Sequence, residues 1–477
     1  MLEKIKKSFR SASSKNGSYS VGMIALVICM VIVVNLIAGQ LPENVKSIDI
    51  SDNNIYGVSK TSKKVLNKLD KKVTFKIYAE KDSTDTRIKK YTALSDKISV
   101  TWIDPVLHPA ALTKAGVEKD TIVISCKDTG KTKSVSFDDI LVSDSYSYYT
   151  TGSSSVSEFD GEGQFTSAIN SVTSEQTEKI YYTTGHGEAT FSDSVTKLFS
   201  KNNLTTDEVN LMMTGEIPDD CDLLFMDAPS KDISDDEKTL LLNYLKKGGK
   251  VFIILGDPED ETPNLDEVLK EYGMQEADGY IADMQRSYQG NYYYIFPEIT
   301  ATDDLANNLE SEMVLMINAH GLTTTDPARD TITTTAFMQT SDNSYAVTED
   351  KQEEGTYTLG AVATEQITSN DSSDSSSSKD SSSDVTKTSR LTVISSESMI
   401  DSQITDTYTT LENLDLFMNA VTANFDKTKN VAIKAKSLEV SNNTMQHAGI
   451  ISILTIFGIP LVILIYGFMR WWKRRKA

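Results

Sequence analysis

The residues best suited to chemistry sit in one short run, Gly185-His186-Gly187-Glu188. An imidazole and a carboxylate two residues apart can act as an acid–base pair or supply two metal ligands. The flanking glycines permit a tight turn whose amides can approach an anion. The plainer reading is a glycine turn with a polar helix start. Two donors fall short of the three or four protein ligands that zinc takes. His108 and His320, the other histidines clear of the apolar terminal runs, have no spacing that completes a set. Asp257 follows another apolar run and is a candidate for the same crevice, although an Asp before Pro258 more often opens a turn. Gly185, His186, Gly187, Glu188 and Asp257 are therefore the ligand-binding candidates. No G-x-S-x-G nucleophile elbow occurs. Gly130-Lys131-Thr132 ends like a phosphate loop, but Ser125 stands where its first glycine belongs, and the surrounding pattern is a hairpin. No catalytic constellation is complete. The chain is expected to be non-enzymatic, with neither cofactor nor metal.

Three apolar strands must position these groups. Lys179 to Thr184 runs into the glycine turn, with helical spacing from Asp193 to Asn203 beyond it. Asp222 to Pro229 and Lys250 to Leu255 are the other two. Between them, Ser234-Asp235-Asp236-Glu237 is a capping box, and its helix stops at Gly248-Gly249. Continuous apolar strands alternating with helices predict a parallel sheet covered on both faces. Ligands of such sheets bind at the carboxyl ends of the strands. Possible strands follow at 292–296, 313–318 and 331–337. A strand over 390–395 and a helix over 411–425 close this α/β domain, 158–430. The Ser/Asp-rich stretch 366–389 has almost no apolar content and is expected to be a disordered insertion.

A smaller α+β unit precedes it, 45–157. Helical spacing over 59–69 puts Val65, Leu66 and Leu69 on one face. Val73 to Ala79 alternates as a strand, 98–103 is a second, and 121–126 with 133–137 forms a hairpin.

The 477-residue chain has a net charge of −21, unevenly spread. Residues 1–20 carry +4 and residues 470–477 carry +5, which leaves −30 on the other 449. An acidic body of this kind repels a phosphate backbone, so nucleic acid is excluded as a partner. Apolar runs at 21–39 and 448–469 are each flanked by the basic ends. At about 1.5 Å per residue each can cross most of a roughly 30 Å hydrocarbon core. The positive-inside rule puts both termini (1–20 and 470–477) in the cytoplasm and the body outside, with 431–447 as a linker. A cleaved signal peptide is the alternative for the first run, but no A-x-A site follows it. Cys29 has Val27 and Ile28 before it, where a lipid-modified cysteine needs small residues. Cys126 and Cys221 allow one disulfide, which sequence alone cannot pair.

Five segments carry a family resemblance: Asp49 to Ser59 with Val65-Leu66, Phe159 to Ile169, Ile180 to Glu188, Leu240 to Lys250, and the last apolar run closing in Arg470 to Lys476. In this order they resemble the GldG-like auxiliary subunits of ABC transporters, named for gliding motility. The resemblance implies a Rossmann-like domain, related to the glutamine-amidotransferase-like and intraflagellar-transport folds. It also implies action beside a separate permease and cytoplasmic ATPase. The Ser/Asp-rich stretch departs from the family's compact pattern. The expected function is a membrane-anchored accessory subunit with an exterior domain that binds substrate or envelope partners. The competing readings are an envelope hydrolase or carbohydrate-binding protein using the 185–188 loop, and a purely structural envelope tether.

Overall fold

The computed structural model describes residues 26–33, 57–80, 84–143, 156–175, 177–301, 305–306, 309, 311, 313–368, 385–408, 410–425, 431–438 and 458–476.

The first unit is a four-stranded sheet. Its strands are β1 (Val73–Tyr78), β2 (Ile98–Trp102), β3 (Thr121–Cys126) and β4 (Thr132–Ser136), in the order β2-β1-β3-β4. β1 runs parallel to β2 and antiparallel to β3. Gly130 turns the β3–β4 hairpin at φ +70°, so the Gly-Lys-Thr run is a turn. Helix α1 (Lys60–Asn67) starts at Ser59, whose hydroxyl accepts from Ser62 N, and buries Leu66. Helix α2 (Gly161–Thr173) lies beyond residue 157, yet Phe165, Ala168, Ile169 and Val172 fill the core under this sheet with Phe75, Ile77 and Ile122.

The second unit holds a large mixed sheet. Its parallel half contains β5 (Glu178–Thr183), β6 (Leu204–Val209), β7 (Leu223–Asp227) and β8 (Lys250–Ile254). The antiparallel half contains β9 (Met274–Asp283), β10 (His320–Thr324), β11 (Ile332–Gln339), β12 (Ser344–Val347) and β13 (Thr358–Thr368), and β14 (Val385–Ile394) joins the halves. The order β6-β5-β7-β8-β14 is parallel throughout. β14 then pairs antiparallel with β13, and all strands beyond are antiparallel. The architecture is therefore mixed α/β with several sheets. The expectation of a parallel sheet holds for the strand–helix–strand stretch only. A parallel neighbour needs a crossover of a dozen or more residues. The turns between β10, β11, β12 and β13 are too short for that.

Alternation along the parallel strands serves two cores. Phe225 and Phe252 face one side with Ile180 and Ile254, against helices α3 (Asp193–Lys201) and α6 (Asn413–Thr422). Leu224, Val251 and Ile253 face the other, against α4 (Asp235–Lys246) and α5 (Pro263–Glu271). Phe225 and Phe252 stack at 4.9 Å, and Phe417 of α6 meets both edge-on at 6.0 and 5.7 Å.

The expectation that 366–389 is a disordered insertion needs correction at its edges. Residues 366–368 and 385–389 continue β13 and β14, with Gln366 opposite Thr388 and Ile367 opposite Lys387. β-branched residues at the edges suit a two-stranded ribbon despite the polar composition. Residues 369–384 lie outside the described residues.

Among the described residues no helix is long and apolar enough to cross a membrane. Of the two apolar terminal runs, 21–25, 34–39 and 448–457 lie outside the described residues, as do 1–20, 45–56 and 439–447. Residues 26–33 are helical, and a second helix spans Ile459–Lys476. Cys126 and Cys221 are free thiols in separate cores.

Phe417 is fully buried and comes from the last helix of the domain. Phe417→Ala is expected to lower stability by about 3–5 kcal/mol. Urea denaturation followed by circular dichroism measures this; a loss below about 1 kcal/mol would mean that the ring does not anchor α6 to the sheet.

Candidate functional site

The order of the parallel strands places the sheet's switch point between β5 and β7. β5 leads to β6 on one side, and the chain then crosses back over β5 to β7. The Gly185–Glu188 loop leaves β5 at this point. Gly185 (φ +122°) and Gly187 (φ +73°) adopt backbone angles that other residues rarely take. A Cβ on Gly187 would come within 2.1 Å of Ser230 Oγ, and Ser230 N and Oγ both donate to His186 O, at 3.0 and 3.2 Å.

His186 is only 3% exposed, and both ring nitrogens meet carboxylates. Nδ1 lies 3.1 Å from Glu188 Oε1 and Nε2 lies 3.1 Å from Glu237 Oε2. Glu237 is the third residue of α4 and closes its capping box, and the same Oε2 also accepts from Ser234 N and Oγ at 2.9 and 2.7 Å. Two carboxylate acceptors favour the imidazolium. The Glu188 hydrogen bond leads in raising the His186 pKa, burial opposes it, and the Glu237 charge adds to the rise. Burial pushes the Glu188 carboxyl up, but hydrogen bonds from His186 and the backbone outweigh it and bring it down to about 2. Glu188 Oε2 also accepts from His186 N at 2.7 Å. The loop's own carboxylate thus occupies the place an anion would take, and helix α3 begins only at Asp193, capped by Ser192. The arrangement is a latch between the loop and α4, with no ring nitrogen free for a ligand.

Beside the latch, Asp227 ends β7 at 3% exposure, and its Oδ1 has no hydrogen-bond partner. Burial pushes its carboxyl up to about 7, and the charges of Glu397 and Glu188 add to this.

Asp257 lies elsewhere. It follows β8 and faces a cavity of about 540 Å³ at the carboxyl ends of β8 and β14. Its Oδ2 accepts from Tyr280 Oη at 2.6 Å, and its Oδ1 lies 3.8 Å from His320 Nε2. Tyr288, Tyr294, Phe296 and Tyr408 supply rings to the wall, Leu315, Ile317 and Ile404 supply aliphatic surface, and Glu397 and Asp401 supply carboxylates. Asp257 therefore does not converge with Gly185–Glu188. Sequence reasoning missed Glu397, Asp401 and Tyr408. The signal was present, since Ser395 to Asp401 directly follows a buried parallel strand and such ends carry ligand sites. Tyr288, Tyr294 and Phe296 gave none, because the hairpin that carries them is placed by long-range packing. Among the described residues no three His, Cys, Asp or Glu side chains are placed to share a metal ion.

Residues 177–420, just over half the chain, match the family described as an ABC-type uncharacterized transport system. The chain belongs to this family. Its role is that of an auxiliary component of an ABC-type system, acting with ABC transporter components. Residues 52–143 match a domain of unknown function (DUF7088), which contains the first sheet of the auxiliary chain. No curated protein matches it. Among solved structures it is similar to the mmIFT52 N-terminal domain, at 15% identity over 51% of this chain and 95% of that one, with a TM-score of 0.37. It is also similar to a ThuA-like protein from Bacteroides uniformis, at 13% identity over 54% and 95%, with a TM-score of 0.31. Neither likeness bears on function.

The latch and Asp227 give the domain a pH signature. His186 has a raised pKa when folded, so its contribution is complete below about 6.5 and is lost as pH rises through the raised value. Asp227 binds a proton on folding between its ordinary value and about 7, so it too disfavours the folded state as pH rises through that window. Stability in urea is expected to fall between about pH 5.5 and 8. Asp227→Asn should stabilise the domain at both, and more at pH 8, by on the order of 2–4 kcal/mol there. Identical pH slopes for wild type and variant would refute the assignment.

Proposed function

We propose that the chain is a membrane-anchored, GldG-like accessory subunit whose outer domain captures a substrate or envelope partner for an ABC permease driven by a cytoplasmic ATPase. In this reading the 21–39 and 448–469 runs span the membrane, both termini are cytoplasmic, and the body between them is extracytoplasmic. The spans would contact lipid and the permease. The chain would supply no chemistry of its own.

One observation carries the reading: the segments that lead toward the two apolar runs meet at a single buried carboxylate. Glu162 Oε1 accepts from Ser59 N at 2.7 Å and from Ser62 Oγ at 2.6 Å. Lys436 Nζ lies 2.9 Å from Glu162 Oε2 and also donates to Gly57 O. Burial pushes the Glu162 carboxyl up, but the Ser59, Ser62 and Lys436 hydrogen bonds outweigh it and hold it below its ordinary value. A domain whose entry and exit are fastened together suits two neighbouring anchors. The apolar side chains at 26–33 are 51–58% exposed, and Leu461, Val462, Ile465 and Phe468 are 50–65% exposed. Uncovered apolar surface of this extent calls for lipid or another protein. The absence of a free ring nitrogen on His186 supports a non-enzymatic role over a hydrolase that uses the 185–188 loop.

Mild-detergent purification of the full-length chain from its native membrane, followed by mass spectrometry, tests the proposal. The expected result is near-stoichiometric recovery of an ABC ATPase and a multi-span permease. Replacing both apolar runs with unrelated spans should abolish that recovery. Recovery of the chain alone, in a detergent that keeps other ABC complexes intact, would overturn the reading.

A further inference from the structure

We infer that the cavity at the carboxyl ends of β8 and β14 binds a small organic cation, a primary ammonium carried on an apolar or aromatic body. This deepens the reading of the outer domain as the capturing part and names the class of molecule it captures.

Size comes first. A cavity of about 540 Å³ falls within the range of roughly 300–1,000 Å³ typical of small-molecule sites. Its charge then selects the ligand. Asp257, Glu397 and Asp401 line it, and among the described residues no Lys or Arg does. An anion entering would meet three carboxylates without a compensating cation.

Hydrogen-bond chemistry narrows the choice further. His320 Nδ1 lies 3.0 Å from Glu276 Oε1. Nε2 is buried, lines the cavity and has no hydrogen-bond partner. Asp257 Oδ1 stands 3.8 Å from it, while the other oxygen, Oδ2, is held by Tyr280 Oη at 2.6 Å. Carboxylate oxygens can only accept, and a primary ammonium brings three N–H donors to them. The tyrosine rings of the wall add a surface that attracts a cation through its quadrupole. A sugar would also use rings and hydroxyl partners, but it would leave the carboxylate excess uncompensated.

Three probes share one body and differ in charge: benzylamine, benzyl alcohol and benzoate. Titration calorimetry on the full-length chain in detergent is expected to show benzylamine binding about tenfold or more tighter than benzyl alcohol, with benzoate weakest. Asp257→Asn keeps the side chain's shape and removes its charge, and should weaken benzylamine about tenfold while leaving benzyl alcohol nearly unchanged. Glu397→Gln, at an exposed position, provides a second variant with the same direction of effect should the first fold poorly. Equal affinities for amine and alcohol, preference for a methyl glucoside, no binding of any probe, or indifference of both variants would overturn the inference. Recovery of the ATPase and permease is scored separately, so loss of amine binding with the complex intact refutes the ligand class alone.

Discussion

An imidazole clamped between two buried carboxylates, which raise its pKa, ties the switch-point loop of the parallel half to the helix beside it. His186 joins the loop after β5 to the first turn of α4, and each partner is fixed by further donors. Buried ions survive only when their charge and hydrogen-bonding capacity are met by neighbours. The positive φ at Gly185 and Gly187 is what lets the ring reach inward. The capping box is what places Glu237 to receive it. Neither device alone would hold the loop.

The clamp has a consequence for ligands. Open α/β sheets offer the crevice at their switch point, and here that crevice is filled by the loop's own side chains. Ser230 closes it further through His186 O. Space for a ligand appears instead two gaps along, between β8 and β14, where the antiparallel half begins and the β9 and β10 side chains Tyr280 and His320 reach toward Asp257. Glu397 belongs to both places. It lines the cavity, and its charge helps to raise the Asp227 pKa beside the clamp. The protonation of the buried switch point and the charge of the open cavity are therefore electrostatically linked.

Much of this was legible in the sequence wherever local pattern decides structure. The continuous apolar runs of β5, β7 and β8, the Ser234–Glu237 capping box and the α6 helix all declare themselves within a dozen residues. β9 does not: only half of Met274 to Asp283 is apolar, without regular alternation, and it forms a strand because neighbours pair with it on both sides, with an irregular register between Glu276 and Tyr280. The chemistry of the site was legible only in part. Glycine spacing marked the turn at 185–187 with Glu188 beside it, but the second partner of His186, Glu237, lies 51 residues away, and no local signal pairs the two. Asp257 was visible as a strand-end acid. Its partners Tyr280 and His320 arrive through long-range pairing of β9 with β10, which propensity does not encode.

Glu162 gathers the chain near residues 57–62 and near 436, and Lys436–Ser437 pair antiparallel with Phe159 and Glu158. One turn away, Asp160 and Lys201 form a largely buried ion pair at 2.6 Å, and Asn202 Oδ1 accepts from Val431 N at 2.8 Å. The Asp160–Lys201 pair ties the start of α2 to the end of α3, and α3 follows the latched loop. Pulling the 57–62 or 431–437 segment away would strand charges that have given up their hydration, a penalty of several kcal/mol for each ion left unpaired.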